Sequence, residues 1–167
     1  MNPFGACRGR LVAVDGLLKF RERRRLPVPR PLSSLDAMFK PRSVALIGVS
    51  SKGMNMGRII LGNLLHGGFD RSRTFIVRPG ADQIDGVRCV PSIKDLPERV
   101  DLFIVAVGAD QVPELMEELV EHDKAVGVIL IPGGMAEKEG GEVLEQRVTK
   151  ALQKARERGL PLVANGG

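Results

Sequence analysis

Between Gly48 and Gly57 the chain runs Gly-Val-Ser-Ser-Lys-Gly-Met-Asn-Met-Gly, a turn of small and polar residues carrying one cation, Lys52. These residue types suit an anion, and above all a phosphate. Glycines let backbone N–H groups come close, Ser50 and Ser51 are small and polar, and Lys52 adds a point charge. The glycines fall at Gly48, Gly53 and Gly57. That spacing is not the dinucleotide pattern G-x-G-x-x-G, and no Gly-Lys-Ser/Thr closes it as in a nucleoside-triphosphate loop. A plain surface turn with a solvated lysine is the competing explanation. The context favours phosphate: Val44-Ala45-Leu46-Ile47 before the turn has the pattern of a buried strand, and a helix follows it. The helix dipole and the free N–H groups of its first turn then point at the ligand.

Three further loops follow predicted strands and are expected to face the same crevice. Val77-Arg78-Pro79-Gly80 has an arginine where NAD-binding folds place an acid for the ribose hydroxyls. An arginine there suits an extra phosphate on the adenosine ribose, at the 2′ position in NADP or the 3′ position in coenzyme A. A surface ion pair from Arg78 to Asp82 or Asp85 is the alternative. Val107-Gly108-Ala109-Asp110 offers a glycine for close approach and an aspartate able to cap the next helix. Pro132-Gly133-Gly134-Met135 offers two glycines after a buried strand, for backbone contact with a ligand or for a tight turn.

No catalytic constellation accompanies these loops. Ser50 and Ser51 have no histidine partner in sequence context, and His66 falls near a helix end, where a structural or solvent-facing role is expected. Two cysteines, Cys7 and Cys89, and two histidines, His66 and His122, are too few for a disulfide framework or a metal cluster. They fit a reducing cytoplasm. No apolar run is long enough to span a bilayer. The chain reads as a binding module, with no catalytic residue and no metal assigned.

Charge is unevenly spread. Residues 1–31 hold eight Lys/Arg against two acids, whereas the rest holds 17 against 18. The basicity therefore belongs to an N-terminal extension over residues 1–34, with Arg21, Arg23, Arg24 and Arg25 followed by a proline-rich piece from Pro27 to Pro31. A flexible, solvated extension is expected, ahead of an organelle presequence or a surface for acidic lipid or nucleic acid. The remaining domain is near neutral and has no Trp or Tyr, so no nucleic-acid or membrane partner is expected for it.

The elements that must position the loops alternate between strand and helix. A short helix is expected over Leu35 to Lys40 with Ser34 as its cap. Strands are expected at Val44 to Val49, Thr74 to Val77, Arg88 to Val90, Asp101 to Val107, Val126 to Ile131 and Leu160 to Ala164. Helices are expected at Gly57 to His66, ended by Gly67-Gly68, at Asp110 to His122, and at Glu139 to Arg158, capped by Gly159, with a helical turn at Ser92 to Leu96. Ile59, Ile60, Leu64 and Leu65 are the candidate core contacts of the first long helix, and Val143, Leu144, Val148 and Leu152 those of the last. The continuous apolar run Asp101 to Val107 fits a central parallel strand buried on both faces. The fold class is α/β: a Rossmann-like open parallel sheet with helices on both faces, over residues 35–167. The chain stops just after a strand, where a functional loop is expected, which suggests a domain from a longer protein.

The motifs FKPRSVALIGVS, NLLHGGF, IVRP, IDGVRCVPSIKDLPERVDLFIVAV, GVILIPGGMAE and GLPLVANGG occur in one order from about Leu35 onward. In that order the chain resembles the CoA-binding domain of ADP-forming acyl-CoA synthetases, related to the succinyl-CoA ligase alpha subunit. Similar domains occur in some CoA-dependent protein acetyltransferases. The resemblance implies coenzyme A as cofactor. By motif position, Gly48, Ser50, Ser51, Lys52, Gly53 and Gly57 would surround its phosphates, and Val77, Arg78 and Pro79 would border the adenosine. Val107, Gly108 and Ala109 would lie under the nucleotide or pantetheine arm, and Pro132, Gly133 and Gly134 near the thiol. The family commonly has Val-Asn-Pro and a lysine where this chain has Val77-Arg78-Pro79-Gly80, and often a proline at the place of Gly108. The resemblance also implies an ATP-grasp domain or subunit as partner and a phosphohistidine elsewhere, matched by neither His66 nor His122. Two alternatives stay open: an NADP-binding oxidoreductase domain, against which the glycine spacing argues, and a CoA-sensing regulatory module. The sequence leaves oligomeric state open.

Overall fold

A computed structural model of the chain describes residues 4–7, 10–13, 33–131, 141–158 and 163–166. The basic run from Arg21, the proline-rich piece, the Pro132-Gly133-Gly134 loop and Gly159 lie outside the described residues. Within the extension, β1 (Phe4–Cys7) and β2 (Arg10–Ala13) pair antiparallel, a hairpin the sequence patterning had not suggested.

The main sheet has seven strands in the order β5-β6-β4-β3-β7-β8-β9. These are β3 (Val44–Ile47), β4 (Thr74–Val77), β5 (Gln83–Ile84), β6 (Val87–Val90), β7 (Val100–Val105), β8 (Ala125–Leu130) and β9 (Val163–Gly166). All neighbours are parallel except the β5–β6 pair. The expected α/β class is what the chain adopts. Strand β3 lies between β4 and β7, so the chain moves outward from it in two directions, and this reversal opens a crevice at the strand C-termini.

Both faces are covered. On one, α1 (Ser33–Phe39) and α2 (Met56–His66) pack with Leu46, Leu61, Ile76, Leu102 and Ile104. On the other, α3 (Val112–His122) and α4 (Gly141–Glu157) pack with Phe75, Phe103, Val105, Met116 and Val148. Phe103, Leu46 and Leu61 are fully buried, each contributing roughly 1.5–3 kcal/mol of burial. The side chains of β7 are buried along its whole length, as its unbroken apolar run requires of a central parallel strand.

Several local expectations shift. Ser34 lies inside α1, which starts at Ser33. Helix α2 begins one residue earlier than expected because Asn55 caps it; Leu61 is fully buried, Ile60, Leu64 and Leu65 pack half-buried against the core, and Ile59 is exposed. Of the pair that ends α2, Gly68 takes the left-handed conformation, at φ +84°. Asp110 caps no helix: it sits within a 3₁₀ turn, Ala109–Gln111, that leads into α3, whose first turn holds Pro113. In α4, Val143 faces solvent, whereas Val148, Ala151, Leu152 and Ala155 make the core contacts. The strand β5 was missed. It pairs with β6 through Asp85-Gly86, both at positive φ (52° and 78°), the conformation a two-residue type I′ hairpin demands.

Candidate functional site

The loop from Gly48 to Gly57 is built on two close approaches. Gly48 ends β3 with φ +93°, and a Cβ there would sit 2.1 Å from the Ala106 carbonyl oxygen. Gly57 is buried in the first turn of α2, where a Cβ would lie 2.6 Å from the Gly48 carbonyl oxygen. Strand end and helix start are thus pressed together, and only hydrogen fits at either Cα. Gly53 is different: a Cβ on it would meet nothing within 4 Å. It sits at the open front of the loop, where a ligand could come against the backbone.

Asn55 ties these parts together. Its side-chain amide donates to the Gly48 carbonyl at 2.7 Å, and its Oδ1 accepts from the N–H groups of Ser50 at 3.2 Å and Arg58 at 3.0 Å. Ser50 Oγ accepts from the Gly53 N–H at 3.1 Å. Arg78 donates from one guanidinium nitrogen to the Val49 carbonyl at 2.8 Å and from the other to Ser51 Oγ at 3.2 Å. Arg58 donates to the carbonyls of Ser50 and Ser51 at 3.0 and 3.2 Å. Three consecutive carbonyls, 49 to 51, are therefore held by cations. The N–H groups of Ser51, Lys52, Met54, Met56 and Gly57 have no hydrogen-bond partner among the described residues. A loop with its carbonyls neutralised and donors to spare is an anion cradle.

Beside the loop lies a crevice of about 300 Å³, lined by Gly48, Val49, Val77, Arg78, Pro79 and Val107, with Pro91, Ser92, Ile93, Gln111 and Glu118 closing it. The structure thus brings together five of the residues singled out from sequence: Gly48, Val77, Arg78, Pro79 and Val107. Lys52 is exposed at the loop tip. Gly108 starts the 3₁₀ turn and does not line the crevice, and Ala109 is fully buried beneath it. Pro132, Gly133 and Gly134 lie outside the described residues. Arg78 pairs with neither Asp82 nor Asp85. Asp85 is held instead by Arg58 at 2.7 Å. His66 is exposed at the far end of α2, where its Nδ1 meets the Gly62 carbonyl at 2.9 Å. A larger hollow of about 450 Å³, between Ile60, Leu64 and Phe69, is also at that far end and has no charged lining.

Sequence reasoning missed Asn55 and Arg58, and offered Asp85 only as a partner for Arg78. An Asn immediately before a helix is a cap signal that could have marked the first. Nothing local links Arg58 to an aspartate 27 positions away. Cys89 is buried in β6, in the core on the α2 side of the sheet. Burial pushes its thiol up, the nearby Arg78 cation pulls it back and Asp82 pushes it up again. No group of three or more His, Cys, Asp or Glu among the described residues could hold a metal ion. No helix among them is long and apolar enough to cross a membrane.

Residues 42–166 match the family model described as a CoA binding domain. The chain belongs to the CoA-binding domain family. It is 36% identical over 154 residues to an ADP-forming acetate–CoA ligase II of Archaeoglobus fulgidus, covering 92% of this chain and 22% of that one. It is 32% identical over 124 residues to the alpha subunit of an ADP-forming acetate–CoA ligase I of Pyrococcus furiosus, covering 72% of this chain and 27% of the relative. The chain thus spans about a quarter of the length of these two relatives. Among solved structures, an acetyl-coenzyme A synthetase 1 of Ca. Korarchaeum cryptofilum, in complex with phosphate and ADP, superposes with a TM-score of 0.64 at 27% identity. It covers 77% of this chain and 26% of that one. Coenzyme A is the ligand of this domain family.

Proposed function

We propose that this chain is the coenzyme A-holding part of an ADP-forming acid–CoA ligase, with the diphosphate seated on the Gly48–Gly57 loop. The observation that carries the reading is the loop itself, whose carbonyls at 49 to 51 are tied back by Arg58 and Arg78 while the N–H groups of Ser51, Lys52, Met54, Met56 and Gly57 have no partner among the described residues. Ser50 and Asn55 hold the loop's shape, Lys52 and the start of α2 add positive potential, and Gly53 permits close contact. Val77, Arg78 and Pro79 form the adenosine wall, with Arg78 near enough to the loop to meet the 3′-phosphate. Val107 borders the pantetheine path together with Gly108 and Ala109, whose part is to set the backbone under it, and Pro132, Gly133 and Gly134 belong to its thiol end. Coenzyme A supplies a thiol that accepts an acyl group as a thioester.

The residues of this domain bind and orient; activation of the acid and phosphoryl transfer belong to an ATP-grasp partner, as a domain or a subunit. Among the described residues of the crevice, the one hydroxyl held by a carboxylate is that of Ser92, which donates to Asp95 within a 3₁₀ turn, and no histidine stands beside it; His66 lies at the opposite end of α2 from the loop. A cytoplasmic setting goes with this reading.

Calorimetry of the chain with CoA, dephospho-CoA and NADPH tests it. CoA should bind, dephospho-CoA more weakly and NADPH hardly at all. Binding of NADPH without CoA would sink the reading in favour of an oxidoreductase domain. In Arg78→Gln the preference for CoA over dephospho-CoA should disappear, since a cation–phosphate contact is worth about tenfold or more. A preference that persists would remove Arg78 from 3′-phosphate recognition.

A further inference from the structure

Arg58 stands in the first turn of α2 and spans from the phosphate loop to the β5–β6 hairpin. One guanidinium nitrogen donates to the Ser50 and Ser51 carbonyls. The other donates to Asp85 Oδ1 at 2.7 Å. The guanidinium is mostly covered, with 24% of the side chain exposed, whereas Asp85 is 42% exposed. An ion pair so open to water adds little to stability. What it does is geometric: a planar fork with one branch fixed on a carboxylate has its other branch aimed. The aspartate is itself fixed, because Asp85 occupies the left-handed first position of the hairpin turn at φ +52°, followed by Gly86 at +78°.

We propose that Arg58 and Asp85 form a positioning pair for the diphosphate loop, with the hairpin turn as the anchor that sets the loop's shape before coenzyme A arrives. The inference rests on the reading of the loop as the diphosphate seat. Arg58 acts through the backbone: with the carbonyls of Ser50 and Ser51 turned toward the guanidinium, the peptide N–H groups that follow them are left to the ligand. Arg78 holds the other flank through the Val49 carbonyl and Ser51 Oγ. The two arginines divide the work. Arg78 lines the crevice and can meet the ligand directly, whereas Arg58 does not line it and is already committed to Asp85. Preorganisation of this kind improves affinity by removing the ordering cost from the binding step.

The test compares the full chain with Arg58→Gln, Asp85→Asn and the double variant, by calorimetry with CoA and with dephospho-CoA and by thermal melting without ligand. Each single variant should weaken CoA by about tenfold and dephospho-CoA by the same factor, because the diphosphate is common to both. The double variant should be no weaker than Arg58→Gln alone, since Asp85 works only through Arg58. Melting temperatures should stay close to that of the unaltered chain. Unchanged CoA affinity in Arg58→Gln, or losses that add in the double variant, would overturn the positioning pair while leaving the diphosphate seat standing. Absence of CoA binding by the unaltered chain would overturn both.

Discussion

Gly57 lies so close beneath Gly48 that a methyl group on it would reach within 2.6 Å of the Gly48 carbonyl oxygen. The contact is backbone on backbone, so neither side can yield by turning a side chain. The spacing of nine residues between these glycines is therefore a packing requirement of the strand-to-helix turn, and the ligand's requirement falls on the glycine between them.

Alanine at the three positions should separate these roles. Gly48→Ala combines a positive φ with a 2.1 Å clash and should cost about 3 kcal/mol or more. Gly57→Ala should cost about 1–3 kcal/mol, despite alanine's better helix propensity. Gly53→Ala should leave urea-unfolding stability within about 0.5 kcal/mol, as for an open surface site, and weaken CoA through its methyl group. Equal stabilities for all three would refute the packing assignment.

Asn55 should prove more than a helix cap. Asn55→Ala should lose about 1–2 kcal/mol, as a capping residue does. Asn55→Asp keeps the oxygen that accepts from Ser50 and Arg58, loses the donor to the Gly48 carbonyl and brings an anion to a phosphate seat. It should therefore melt above Asn55→Ala and yet bind CoA more weakly than the unaltered chain. If its CoA affinity equals that of the unaltered chain, the loop is not the diphosphate seat.

Stability should carry an acid-side signature from Asp70. The Ser72 N–H and hydroxyl both donate to its Oδ1 at 2.8 Å, and these bonds, the backbone one foremost, hold its carboxyl below the ordinary 3.8, with Arg73 adding to the effect. A carboxylate depressed in the folded state stabilises above its unfolded pKa and loses that contribution as pH falls through the folded value. Asp70→Asn should thus be less stable than the unaltered chain at neutral pH, and the gap should close below about pH 4, the ordinary carboxylate range. Chemical denaturation at neutral and acid pH measures it; a gap independent of pH would exclude this origin.

The Cys89 thiol, raised by burial, should resist alkylation at neutral pH while the chain is folded. In a Cys7→Ser background, iodoacetamide should label Cys89 slowly until denaturant is added. Rapid labelling of the native chain would contradict the packing of β6.

Much of this architecture was legible because its signals are local. The apolar run from Asp101 marks a strand buried on both faces, though β7 covers Val100–Val105 and leaves Ala106 and Val107 to the loop, and Thr74 to Val77 was bounded by Pro79. The crevice was legible too, since an open parallel sheet brings the ends of β3, β4 and β7 to one edge. What escaped was of two kinds. Asp85-Gly86 between Ile84 and Val87 is a strong hairpin signal that was passed over, and β5 went with it. Arg58 and Asp85 carry no mutual signal, because a contact across 27 residues depends on where the hairpin lands. Arg78 lines the crevice, but its grip on the Val49 carbonyl follows from the loop's path and from no pattern in the chain.

Helix α1 ends with Met38 lying against Gly127 of β8, so close that a Cβ on that glycine would fall 2.2 Å from the methionine Cγ. The family model begins at residue 42, yet α1 begins at Ser33 and packs on β7 and β8. Anyone trimming the domain to residues 42–166 would strip a roof from β7 and β8, baring Gly127 and the apolar residues around it to whatever chain lies nearest.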